Sequence, residues 1–190
     1  MNLRAAACLL GLLFVGQPTA LAASFTLGAE QRSDAIRVGA RSVTQDSFHA
    51  EWRVANPSGD SVTVLTPFHR IVIASRQAAF KNEPLKPDEP EKLLKSQQDR
   101  LVILAQLRGP REDFARFYAP RLLAGGQEIA PAFVQNERTA ARTEAGTYVA
   151  RCTYRFPTKD LTASSRLTLV IRDADGRDVS SFTIDLASMR

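Results

Sequence analysis

His49, Glu51 and His69 are the residues of this 190-residue chain whose types could hold a metal ion. Two imidazoles and a carboxylate form a ligand set that suits zinc and its neighbours. Their positions make the set plausible. Along 47–56, Phe48, Ala50, Trp52 and Val54 alternate with His49, Glu51, Arg53 and Ala55, the period of a half-buried strand. If Trp52 and Val54 share the inward face of a hairpin with Val62 and Val64, paired positions must sum to an even number such as 116 or 118. His69 then lies beside His49 or diagonal to it on the solvent face, with Glu51 next along.

A second candidate set is Arg151 and Arg155. The stretch Glu144–Phe156 is the clearest long strand. Tyr148, Ala150, Cys152, Tyr154 and Phe156 fall on one side, and Thr147, Val149, Arg151, Thr153 and Arg155 on the other. One face is apolar and aromatic, as in an antiparallel sheet with one side on the core. The two arginines on the other face could meet an anionic component of a cell envelope or an acidic partner protein.

Other chemistries find no motif. The chain has no Gly-x-Ser-x-Gly, no His-Glu-x-x-His and no phosphate-binding glycine loop. It has no Cys-x-x-Cys, so disulfide exchange and covalent haem attachment are excluded. Asp173-x-Asp175-Gly176-x-Asp178 suggests calcium, but an EF-hand loop needs a glutamate twelve residues along, where Ile184 stands. Asp175-Gly176 reads instead as a hairpin turn. No enzyme activity and no cofactor are expected.

Residues 1–23 read as a secretory signal peptide. Arg4 gives the positive start, Ala5–Val15 an apolar run, and Ala20-Leu21-Ala22 small residues for cleavage. The run of about 11 residues is too short to span a bilayer, which takes roughly 20. The expected location is the periplasm or the exterior, with no membrane span after cleavage. Loss of Arg4 takes the formal net charge from +5 to +4, spread along the chain with no basic run longer than two, which argues against nucleic acid as a partner. Loss of Cys8 leaves Cys152 alone, so no intramolecular disulfide can form, and its place among Ala150 and Tyr154 predicts a buried, inert thiol.

The remainder, 24–190, is expected to be one domain of many short strands. Candidate strands cover 24–28, 35–38, 47–56, 61–65, 68–74, 101–107, 121–123, 128–134, 166–172 and 179–186, in addition to the long one. Asn56–Asp60, Gly125-Gly126 and Asp173–Gly176 supply turns. Residues 81–100, with Pro84, Pro87 and Pro90 among charged side chains, read as a surface insertion in which Glu91–Gln98 could form a turn or two of helix. Phe114, Phe117 and Tyr118 suggest one short helix over 111–118.

Glu144-x-Gly146-x-Tyr148 resembles the approach to strand F of immunoglobulin-like β-sandwich domains, where a tyrosine hydroxyl bonds back to upstream backbone. The cysteine of that pattern is Ala150 here, with Cys152 one step further on the same face. The resemblance implies an all-β, immunoglobulin-like antiparallel sandwich of an exported bacterial protein. It also implies that Tyr148 is buried, with its hydroxyl bonded. The function expected is an exported, non-enzymatic binding or structural module of the cell envelope. The alternative is a metal-binding or metal-dependent periplasmic protein using His49, Glu51 and His69.

Overall fold

The computed structural model describes residues 25–190, and the signal-peptide reading of 1–23 lies outside them. Ten strands make two antiparallel sheets. In the first, β1 (Arg53–Ala55), β2 (Ser61–Leu65), β3 (Arg100–Gly109), β8 (Tyr148–Pro157) and β6 (Phe133–Gln135) lie side by side, and β7 (Ala141–Arg142) also pairs with β8. The second runs β10 (Asp178–Asp185), β9 (Arg166–Arg172), β4 (Ala119–Ala124), β5 (Gln127–Ile129). Their inner faces meet in one hydrophobic core, with Val64, Ile103, Ala105 and Phe156 from the first sheet and Leu122, Leu169, Ile171 and Ile184 from the second. The fold is largely β, but it also holds α1 (Ala29–Arg41), α2 (Pro67–Phe80) and α3 (Glu89–Gln97). Among the described residues no helix is long and apolar enough to cross a membrane.

Period-two alternation set the long strands. Ala150, Cys152, Tyr154 and Phe156 of β8 are buried, with Arg151 exposed between them. β3 is the central strand, flanked by β2 and β8, with Ala105 opposite both Val62 and Cys152. Gly125 and Gly126 close the β4–β5 hairpin with φ of 56° and 83°, backbone that a Cβ disfavours. At the β9–β10 turn, Asp173 Oδ1 accepts from the amides of Asp175 and Arg177, so this carboxylate serves the turn.

Not every expected strand is one: residues 25–28 form no strand, and 128–134 is split between β5 of the second sheet and β6 of the first. Residues 35–38 belong to α1, whose start is held by Gly28 N donating to Gln31 Oε1 at 3.0 Å. Residues 68–74 belong to α2. Thr66 is its N-cap, accepting from His69 N at 3.1 Å, and Pro67 occupies the first turn, where a missing N–H costs nothing. Phe68, Ile71, Val72 and Ser75 then bury one helical face. Of 47–56 only Arg53–Ala55 is strand, preceded by a single 3-10 turn over Ala50–Trp52. The expected helix over 111–118 is a series of turns. The insertion at 81–100 carries α3, which packs on α2 and β3.

Helices α1 and α2 pack closely because of Gly39. A Cβ there would stand 2.4 Å from the Val72 carbonyl oxygen and 2.7 Å from Ser75 Cβ. Ser75 Oγ donates to Ile36 O at 2.7 Å across the same contact.

The tyrosine that is pinned is Tyr154. Its hydroxyl donates to Asn136 Oδ1 at 3.2 Å, and Asn136 Nδ2 donates to Tyr118 O at 2.7 Å. Burial raises the Tyr154 pKa, so it stays a neutral donor. Tyr148 is half-buried, and its hydroxyl bonds no group among the described residues. Tyr154→Phe is therefore expected to lower stability by about 1 kcal/mol, and Tyr148→Phe to leave the urea midpoint unchanged. Denaturant melts of the two variants check this. Equal losses, or a larger loss at Tyr148, would contradict the assignment.

Candidate functional site

The outer face of the first sheet is built in rows. Cross-strand register aligns Ser61 with Gln106 and Arg151, Thr63 with Leu104 and Thr153, and Leu65 with Val102 and Arg155. Arg53 joins the middle row opposite Thr63. Since α2 leaves the end of β2 directly and α3 follows it, the helices stand along one side of this face. Between them and the strands lies a trough in two connected parts. One, of about 540 Å³, is lined by His49, His69, Arg53, Gln106 and Arg151 among others. The other, of about 400 Å³, is lined by Arg70, Gln97, Arg100 and Arg155. Leu65, Leu104 and Thr153 are common to both and form the shared floor.

Five arginines line the trough and no aspartate or glutamate does. None of the five is in an ion pair, whereas Arg121, Arg172, Arg177 and Arg190 are each bound to a carboxylate. Arg53 Nη2 donates to Ser61 Oγ at 3.1 Å, and the Arg155 guanidinium lies over the Phe133 ring, 4.5 Å from its centroid. The Arg151 side chain is exposed. Its backbone amide is held by Glu137 Oε2 at 2.7 Å, while the guanidinium is left to the trough.

The two histidines do meet, although not as cross-strand neighbours. His69 sits in the first turn of α2 and His49 in the turn before β1, with His49 Nδ1 3.2 Å from His69 Nε2. His69 is fully buried and stacked on Trp52, ring centroids 4.0 Å apart at 6°. Its Nδ1 is 3.1 Å from the Val64 carbonyl oxygen, which can only accept. The proton is therefore on His69 Nδ1, so Nε2 accepts from His49 Nδ1–H, and the remaining lone pair is on His49 Nε2. Burial lowers the pKa of both rings, that of His69 to about 4. Arg76 and Arg53 depress His49 further, and His49 and Arg70 do the same to His69, so the pair is neutral near pH 7.

Glu51 is engaged elsewhere. Arg190 Nε and Nη2 donate to its two oxygens at 2.9 and 2.8 Å, and the Arg190 amide adds a third bond at 2.8 Å. The Arg190 carbonyl oxygen in turn accepts from Trp52 Nε1 and Thr66 Oγ1. Among the described residues no group of three or more His, Cys, Asp or Glu side chains is placed to hold a metal ion. The His49 side offers one free ring nitrogen as a hydrogen-bond acceptor. Cys152 is buried behind the floor, and burial raises the pKa of its thiol.

The sequence placed Arg151 and Arg155 on the right face by parity. It gave no sign of Arg70, Arg100 or Gln97, which reach the trough from elements whose packing only the tertiary fold decides. Arg53 was legible in principle, because β1 and β2 do pair with positions summing to 116, as in Arg53 with Thr63 and Val54 with Val62.

No protein-family profile matches the chain, and no curated protein sequence matches it. Among solved structures it is similar to a crystal structure of a protein of unknown function from Burkholderia pseudomallei. The two are 12% identical, with a TM-score of 0.43 over 85% of this chain and 91% of that one.

The histidine pair makes stability pH-dependent. Unfolded His69 takes its proton near pH 6.5, and folded His69 only near pH 4. Stability is thus full above pH 6.5 and is lost as pH falls toward 4, at about 1.4 kcal/mol per pH unit. His69→Asn retains an amide donor toward Val64 and does not titrate. Urea melts between pH 7 and pH 4.5 are expected to show the wild type losing roughly 2 kcal/mol more than this variant over that range. Parallel pH profiles would contradict the neutral, buried assignment.

Proposed function

We propose that the protein is an exported, non-enzymatic binding module of the cell envelope, and that its binding surface is the trough on the outer face of the first sheet. Export rests on the signal-peptide reading of 1–23. The binding reading rests on one observation: five arginines without ion-pair partners converge on a recess that no carboxylate lines. Elsewhere among the described residues Arg32, Arg37, Arg111, Arg121, Arg166, Arg172, Arg177 and Arg190 pair with carboxylates, while Arg41, Arg76, Arg108, Arg116, Arg138 and Arg142 do not, so what sets the trough apart is the convergence of unpaired arginines in one recess. A cleft lined by one sign of charge concentrates ligands of the other. Arg151 and Arg155 are four residues apart on one strand, about 13 Å, so they can engage two anionic groups of one extended ligand. The ligand class supported is an anionic envelope component. The finer fold reading, an immunoglobulin-like sandwich, is supported by two antiparallel sheets sharing one core, and it lacks the tyrosine bond that suggested it.

Dextran sulfate, with neutral dextran as control, tests the reading without assuming the natural ligand. The wild type is expected to bind the sulfated polymer with affinity that falls as salt rises. Arg151→Ala/Arg155→Ala is expected to weaken it roughly tenfold, the equivalent of about 1.4 kcal/mol. Unchanged affinity in the double variant would remove this surface from the function.

The metal reading has one observation in its favour, the 3.2 Å approach of His49 to His69. Against it, both His69 nitrogens are occupied and both Glu51 oxygens are bound by Arg190. Purified, untagged protein reconstituted with zinc, copper or iron is expected to retain well under one equivalent. Stoichiometric retention would reverse the order of the two readings.

A further inference from the structure

The outward positions of β3 read Arg100, Val102, Leu104, Gln106 and Arg108, so the central strand carries cations at its ends and aliphatic side chains between them. On a sheet whose other face is the core, an outward position is where a polar residue is expected. Leu104 is nevertheless 39% exposed there, open to solvent and not covered by another element. It does not stand alone. Leu65 from β2 and Ile73 from α2 line the same recess of about 540 Å³, and Val102 lines the adjoining one. Around this floor stand Arg53, Arg100 and Arg151, all exposed. The side chains of Arg100 and Arg151 make no hydrogen bond or ion pair within the described residues.

A wholly polar anion would engage the arginines and leave Leu104 in water. A ligand with an aliphatic chain behind its anionic group uses both features, since covering apolar surface is favourable and ligand pockets pair an apolar lining with a few placed polar groups. We propose that the trough takes a single-chain amphipathic anion, an aliphatic carboxylate of the fatty-acid type, a proposal that rests on the anion-binding reading of the trough. The carboxylate accepts from guanidinium donors at the rim, which match its two oxygens. The chain lies over Leu104, Leu65 and Ile73, and the spacing of Arg151 from Arg155 gives it a path of about 13 Å. The floor is concave and flanked by α2 and α3, a shape that admits a detached molecule and not the flat surface of a bilayer.

Calorimetric titration of the whole protein with dodecanoate, butanoate and the uncharged dodecyl maltoside, each below its micelle concentration, tests the class. Dodecanoate is expected to bind roughly tenfold more tightly than butanoate, from its longer apolar chain, and more tightly than the maltoside by a similar factor, from its charge. It is also expected to displace dextran sulfate. Leu104→Thr keeps a strand-forming residue at an exposed site. It is expected to reduce the preference for dodecanoate over butanoate to under threefold, with the urea midpoint and dextran sulfate affinity unchanged. Equal binding of dodecanoate and butanoate to wild type would overturn the proposal. So would equal binding of dodecanoate and the maltoside, a preference that survives in Leu104→Thr, or failure of saturating dodecanoate to displace dextran sulfate. If dextran sulfate still binds in any of these cases, the anion-binding trough stands and the amphipathic ligand alone falls. If dextran sulfate and both carboxylates fail to bind, both readings fall. Retention on phosphatidylglycerol vesicles without binding of dodecanoate would assign the face to a membrane surface and overturn the proposal.

Discussion

The junction at Thr66, where β2 becomes α2 with one residue between them, is the constraint on which the rest depends. The chain must change from strand to helix in a space that is already packed. Thr66 accepts from the amide of His69 and donates to the Arg190 carbonyl oxygen. The ring of His69 reaches back to the Val64 carbonyl, two residues before the cap. Both sides of the junction are thus tied to one buried imidazole, which Trp52 covers and His49 completes. Charging that imidazole would place a cation in a site that burial disfavours, so neutrality of His69 is a condition of the geometry. The direction in which α2 leaves β2 then sets the wall of the trough.

The same junction holds the surrounding segments. Arg190 closes over Glu51 with two guanidinium bonds, and its carbonyl oxygen accepts from Trp52 and Thr66. Gly39 lets α1 approach the back of α2 so closely that any side chain there would meet the Val72 carbonyl. With α2 supported from behind, Arg70 and α3 are presented to the sheet. The arginines on the facing strands form no ion pair, and Arg70 Nε and Gln97 Oε1 are buried without a hydrogen-bond partner. Exposed ion pairs contribute little to stability, so the missing pairs weaken the fold little. The orphaned buried atoms do oppose stability.

What the sequence revealed followed from period two. The long strand expected over 144–156, the terminal hairpin expected over 166–172 and 179–186, and the inward placement of Cys152 come from alternation that the core enforces, whereas Trp52 is buried from a 3-10 turn and not from a strand. Helix α2 was hidden for a physical reason. Ile71, Val72 and Ile73 are β-branched and read as strand, and Pro67 reads as a strand break. The cap at Thr66, proline in the first turn and a buried stripe at Phe68, Ile71, Val72 and Ser75 override that local preference. The choice between Tyr148 and Tyr154 was not legible, because the partner Asn136 comes from a loop whose path no periodicity encodes. His49 and His69 were placed together by a hairpin register, and the fold brings them together through a helix instead.

The central claim is that the trough takes an anion through arginines that the fold leaves unpaired. Arginine Nε–H resonances report it residue by residue in a titration of the nitrogen-15-labelled protein with inorganic triphosphate. The account predicts saturable shifts at Arg70, Arg100, Arg151 and Arg155. It also predicts little change at Arg121, Arg172 and Arg177, which already hold carboxylates. Shifts spread evenly over all arginines, or confined to those outside the trough, would contradict it.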